Sequence, residues 1–208
     1  MKTKDKILLT SLSLFNQEAE ASVSTVDIAN ELDMSPGNLY YHFKGKEVII
    51  GELLKQHLAA LAEILNNPAA SLHSLEDYWM YLYVLSEQVF NYRFVYRNPS
   101  ELILRFPELK KPLLNSYQKT EVGLGKLVVA MRELGIISFD ESVLVPLCQN
   151  LNLLLNQWFS YIELTTKVST PEQAVHSMVF QLMQLLIPYG DASHQDQLQA
   201  IQAAYSEV

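Results

Sequence analysis

Between Met34 and Glu47 the sequence reads MSPGNLYYHFKGKE. Asn38, Tyr40, Tyr41, His42, Lys44 and Lys46 place an amide, two phenols, an imidazole and two ammonium groups within nine residues. Such groups suit the recognition of a flat, hydrogen-bonding polyanion. Asn38 can bond base edges, and Tyr41 and His42 can bond phosphate or touch a thymine methyl. The Lys46 ammonium can sit on a phosphate. Ser35 and Gly37 stand where a short helix would begin, and a bare helix start draws phosphate by its dipole and its unpaired N–H groups.

Bond-breaking chemistry has little to build on. Five histidines are scattered at 42, 57, 73, 176 and 194. No HExxH, Gly-rich phosphate loop or nucleophile elbow occurs. His73 and Glu76 lie one helical turn apart, which alone is a weak metal pair. The single cysteine, Cys148, lies in the apolar run VPLCQNLNLLL and reads as a core residue. The chain is therefore expected not to be an enzyme and to need no cofactor and no metal. The alternative from another class is a helical protein that keeps the fold and serves as a protein-binding adaptor.

The elements that must hold these groups are helices. The chain has 208 residues, 49% of them hydrophobic, enough for a substantial core. Seven glycines and eight prolines are few for a β-protein of this length. One cysteine permits no disulfide within the chain and suits a reducing cytoplasm. The lysine-led N-terminus is broken by Thr10, Ser11 and Ser13 and reads as a helix rather than a signal peptide. No apolar run is long enough to span a membrane. A net charge of −8 is unusual for a nucleic-acid binder, but the acid is unevenly spread. Residues 1–57 hold six lysines against eight acids, whereas the remainder holds nine basic groups against fifteen acids.

Helical period runs throughout. Ile7, Leu8, Leu12 and Phe15 stripe a helix over about 3–17. Ser24 and Asp27 form a variant capping box that opens a second helix. Ser35 as N-cap and Pro36 at the first helical position open a third, running to about Phe43. On its wheel Leu39 and Phe43 face the protein, Gly37, Asn38 and Tyr41 face away, and Tyr40 and His42 flank. Further helices are expected near 46–66 (stopped by Asn67-Pro68), 74–92, 99–106, 110–134 (ended by Gly135), 143–166, 171–188 and 193–206. Pro146 belongs in a first turn, or else kinks a helix that starts at Glu141.

Two short helices joined by a tight turn and packed on a first helix are the parts of a helix-turn-helix. The run from Ile7 to Leu53 resembles the TetR-type transcriptional regulators. The resemblance is carried by TVDIANELDMSPGNLYYHFKGKEVI, above all by Leu39, Tyr40, His42, Phe43, Lys46 and Glu47. It implies an all-α protein with a three-helix DNA-binding domain over 1–50 and a helical effector-binding and dimerisation domain over 51–208. It also implies that Thr25, Tyr40, Tyr41, His42 and Lys46 touch a near-palindromic double-stranded operator. With the outward start of the third helix the contact set is Thr25, Ser35, Gly37, Asn38, Tyr40, Tyr41, His42 and Lys46. Two departures stand out. Asp33 fills a turn position that is often glycine, and residues 1–57 contain no arginine. Recognition is then expected to lean on phosphates and DNA shape.

The second half is rich in rings. Trp79, Tyr83, Phe90, Tyr96, Phe106, Tyr117 and Trp158 are the expected lining of a small-molecule effector site, because buried phenols need partners that a ligand-filled cavity supplies. Arg93, Arg97 and Arg105 suit an anionic ligand, or local acids such as Glu101 and Glu108. The helices near 143–166 and 171–188 are apolar on more than one side, which suits a homodimer interface of two helices from each subunit.

Overall fold

The computed structural model describes residues 1–66, 72–165 and 170–206. Within them the chain is all-α, with a lone antiparallel bridge between Ile137 and Gly190. The helices are α1 (Thr3–Glu18), α2 (Thr25–Glu31), α3 (Pro36–His42), α4 (Lys46–Leu65), α5 (Leu75–Asn91), α6 (Phe94–Arg97), α7 (Pro99–Arg105), α8 (Lys110–Glu133), α9 (Glu141–Thr165), α10 (Pro171–Leu186) and α11 (Gln195–Ser206). The expected stop at Asn67-Pro68 lies outside the described residues. No described helix is long and apolar enough to cross a membrane.

The chain forms two compact units. The first joins Met1–Ala59 to Asn91–Pro112; the second comprises Ala60–Phe90 and the chain from Leu113 onward. In the first unit α1 packs on α2 and α2 on α3. Ile7, Phe15, Ile28, Ala29, Leu39, Ile49 and Ile50 are all at most 1% exposed and form its centre. Burying a side chain the size of Leu39 stabilises the fold by about 1.5–3 kcal/mol, which sets which face of α3 turns inward.

Local chemistry fixes the helix ends. The Ser24 Oγ accepts from the Asp27 N–H at 3.2 Å, and the Asp27 carboxylate accepts from the Ser24 N–H at 2.8 Å. The Ser35 Oγ accepts from the Asn38 N–H at 3.2 Å. Between the two helices, Met34 N–H bonds the Ala29 carbonyl and Asp33 N–H bonds that of Asn30. This crossed pair closes α2 and demands a left-handed residue between them. Asp33 supplies it at φ 50°. The same device ends α8, with Gly135 at φ 70°, the Gly135 N–H on the Arg132 carbonyl and the Ile136 N–H on that of Met131. Aspartate therefore does at the first turn what glycine does at the second, as its tolerance of the left-handed region allows.

In the second unit α10 packs on α9 and α11. Helix α9 starts at Glu141, so Pro146 lies inside it and not in its first turn. Proline there removes one donor from the helix ladder. The buried Cys148 belongs to this helix, and burial, then the nearby Glu121 carboxylate, push its thiol pKa up. A thiol so held is a core group, not a nucleophile.

The turn makes a direct stability prediction. Asp33→Gly should leave the unfolding free energy within about 0.5 kcal/mol of the wild type, and Asp33→Val should lower it by about 1–2 kcal/mol. Denaturant melts of the three proteins measure this, and equal midpoints for Val and Asp would refute it.

Candidate nucleic-acid interface

The outward face of α3 is built as its wheel requires. Leu39 is 1% and Phe43 5% exposed, whereas Tyr40 is 57% and Tyr41 77% exposed. Asn38 and Gly37 are exposed beside them, and His42 is half-buried with its ring edge-on to Tyr41 at 5.3 Å. A Cβ built on Gly37 would meet only the Ser35 Oγ, at 4.0 Å. The protein's own packing does not require glycine there, although helix glycine costs about 0.5–1 kcal/mol relative to alanine.

Between α3 and the start of α2 lies an open concavity of about 690 Å³, lined by Ser24, Thr25, Gly37, Tyr40, Lys44 and Lys46 among others. The Asp27 carboxylate, bonded to Ser24 of that lining, is held below the usual carboxylate range by hydrogen bonds from the Ser24 side chain and backbone. The Lys44 ammonium stands 4.7 Å above the Tyr40 ring. At Gly45 the Glu47 carboxylate, the free end of a flexible side chain, folds back over the place a Cβ would take.

Lys46, an expected phosphate contact, has partners within the unit. Its Nζ donates to the Glu20 carbonyl at 2.9 Å and the Val23 carbonyl at 2.8 Å, and pairs with the Glu20 carboxylate at 2.9 Å. The ammonium is thus committed inside the unit. Arg105 Nη1 reaches the other oxygen of Glu20 at 2.8 Å, so two cations from distant segments share one buried carboxylate. Arg105 pairs here and not with Glu101 or Glu108.

The segment 91–112 is fastened to α1 at the same corner. Asn16 Nδ2 donates to the Asn91 carbonyl at 2.8 Å, and its Oδ1 accepts from the Phe94 N–H at 3.1 Å. Arg97 donates to the carbonyls of Phe15 and Asn16. Further along α4, His57 is fully buried, stacked on Tyr92 at 4.5 Å and bonded to the Tyr96 hydroxyl at 2.7 Å. Burial pushes its pKa down to about 3.

The seven rings expected around one effector site divide between the units. Tyr96, with its hydroxyl on His57, and the half-buried Phe106, under the Arg105 guanidinium, belong to the first. Trp79, Tyr83 and Phe90 pack together in the second with Val175, Val179 and Met183. Phe90 also meets Phe159 edge-on at 5.0 Å. The half-buried Tyr117 accepts at its carbonyl from Asn152. Trp158 lies elsewhere, in an apolar groove between α9 and α10. Its Nε1 donates to Ser177 Oγ at 2.9 Å, and Leu153, Leu154, Tyr161 and Leu185 line the same groove. Three buried hydroxyls on α5 escaped selection from the sequence: those of Tyr78, Tyr81 and Ser86, which meet no hydrogen-bond partner among the described residues. Burial pushes the Tyr81 phenol up to about 12. Their signal was polar atoms on the buried stripe of an otherwise apolar helix. At the start of α5, His73 donates its backbone N–H to Asp77, and the Glu76 carboxylate accepts from Gln197.

A three-helix head with a capped, outward-facing α3 defines a helix-turn-helix protein. A model of the N-terminal domain of the TetR family of bacterial regulatory proteins matches residues 7–53, and one described as a bacterial transcriptional repressor of the TetR type matches 56–198. The chain therefore belongs to the TetR family of transcriptional regulators, whose heads bind DNA. A TetR-family regulator from Marinobacter aquaeolei VT8 is 28% identical, with 99% of each chain covered and a TM-score of 0.88. The regulator QacR of Staphylococcus aureus is 43% identical over 54 residues, which are 26% of this chain and 29% of that one. A Bacillus subtilis protein described as "Probable HTH-type transcriptional regulator YttP" is 24% identical over 120 residues, 58% of each chain. The chain thus spans well under two thirds of either curated relative's length in these matches.

His57 gives a pH prediction. A group with a folded pKa near 3 and an unfolded value near 6.5 binds its proton mainly in the unfolded state between those limits. Stability is complete above pH 6.5 and falls as the pH drops through that window, by about 1.4 kcal/mol per unit. His57→Gln should flatten the curve between pH 4 and 6.5 in denaturant melts. An unchanged slope would show that His57 is charged in the native protein.

Proposed function

We propose that this protein is a repressor that occupies a near-palindromic operator as a homodimer and leaves it when a small lipophilic or amphipathic molecule binds the second unit. The observation that carries the reading is the orientation of α3, with Tyr41 77% exposed over a Leu39 that is 1% exposed. Asn38 and Tyr41 read bases, with Ser35, Gly37, Tyr40, His42 and Thr25 on the surrounding backbone. The homodimer is supported by the α9–α10 face, where Leu153, Tyr161 and Leu164 are 64%, 55% and 89% exposed. Leaving such a face in water is unfavourable, and a second copy offers the same apolar surface in return. Effector control is supported by Tyr78, Tyr81 and Ser86 of α5, whose buried hydroxyls meet no partner among the described residues and can bond a ligand. To relieve repression a hundredfold, the effector must favour the non-binding conformation by about 2.7 kcal/mol.

Selection of an operator from random duplexes, followed by titration, tests this function. Tyr41→Ala should cost about 1–3 kcal/mol on the selected operator and little on a scrambled one, with an unchanged melting temperature. Equal loss on both would reduce Tyr41 to a backbone contact. Leu153→Asp should shift the protein to monomers in sedimentation and remove binding to the paired half-sites. A wild-type monomer bound at a single half-site would overturn the dimer.

A further inference from the structure

Two cations line the concavity between α2 and α3, and they are placed differently. Lys46 is 16% exposed in its side chain and is held by the Glu20 carboxylate and two carbonyls. To reach a phosphate it would have to leave a 7%-exposed carboxylate to Arg105 alone and free both carbonyls. Lys44 is exposed and makes no ion pair among the described residues. Its ammonium rests 4.7 Å over the Tyr40 ring, itself 57% exposed. An aromatic face attracts an ammonium and narrows its range of positions, so less side-chain freedom is lost when a phosphate arrives. Charge supply sharpens the contrast. Residues 1–57 contain no arginine, and of Arg93, Arg97 and Arg105 in this unit the last two are engaged with α1 carbonyls and with Glu20.

We propose that Lys44, steadied on Tyr40, is the cation that meets an operator phosphate at this concavity, and that Lys46 is a positioning residue. Lys46 ties the first turn of α4 to the Glu20–Val23 turn and so fixes where α3 and Lys44 stand. The inference rests on the operator reading above and deepens it by assigning the phosphate contact.

The salt dependence of binding to a random-sequence duplex distinguishes the two lysines. Each neutralised phosphate contributes about 0.9 to the slope of log Kobs against log salt. Lys44→Gln should lower that slope by about 0.9 per bound head and weaken matched and scrambled duplexes alike, whereas Lys44→Arg should keep the slope. Lys46→Gln should lower the melting temperature and keep the slope. Tyr40→Leu should weaken binding in the same sequence-independent way as Lys44→Gln, by a smaller factor. An unchanged slope for Lys44→Gln overturns the assignment, as does a slope reduced by Lys46→Gln at an unchanged melting temperature. Wild-type protein that ignored every duplex in dilute KCl would instead overturn the operator reading itself, and this inference with it.

Discussion

One buried carboxylate organises the DNA-binding head. Glu20 is 7% exposed and is neutralised from two directions, by Lys46 at the start of α4 and by Arg105 at the end of α7. An isolated carboxylate at such a depth would cost several kcal/mol, a cost that these pairings offset. The residue before it, Ala19, has φ 69° and ψ 143°, a region that only glycine enters freely. Strain of that kind costs on the order of 1–3 kcal/mol and survives only where surrounding contacts fix the backbone. Here they do: Asn16 is held on both sides by segment 91–94, and Arg97 takes the carbonyls of Phe15 and Asn16. The corner after α1 is therefore the point where residues 91–112 become part of the head. That segment meets the first turn of α4 through Glu20, and α4 again through His57.

The second unit uses its rings for two different ends. Around Trp79 they close an interior with Val175, Val179 and Met183, and the same helix α5 buries polar atoms for which its neighbours supply no partner. Around Trp158 and Tyr161 they form an outer groove beside exposed leucines. Periodicity alone does not separate these cases, because an aromatic residue at helical spacing reads the same whether its neighbours come from its own chain or from another.

What the sequence disclosed and what it withheld follow one physical line. Interactions between residues three or four apart were legible: the Ser24–Asp27 box, the Ser35 cap with Pro36, and the inward Leu39 and Phe43. The left-handed turn at Asp33 was legible too, because few residue types tolerate it. Contacts across long stretches of chain were not. Lys46 looked like a free cation because Glu20 lies 26 residues away, and Arg105 was matched to nearby acids although its partner is 85 residues off. The bond between the Tyr96 hydroxyl and His57, 39 residues away, was likewise hidden. Helix α6, four residues long, carries no capping side chain and too little length for a period. Pro146 suggested a later start for α9 because a donor lost inside a helix is usually avoided, and the remaining 25-residue helix tolerates it.

The split of labour across α3 bears on how such a protein can change. Leu39 and Phe43 carry the folding duty, while Asn38, Tyr40 and Tyr41 stand in solvent and hold nothing in the interior. A duplicated gene could thus acquire a new target through substitutions on one side of a seven-residue helix, without passing through misfolded intermediates. Such changes would leave the opposite side of the helix, and the glutamate near it, untouched.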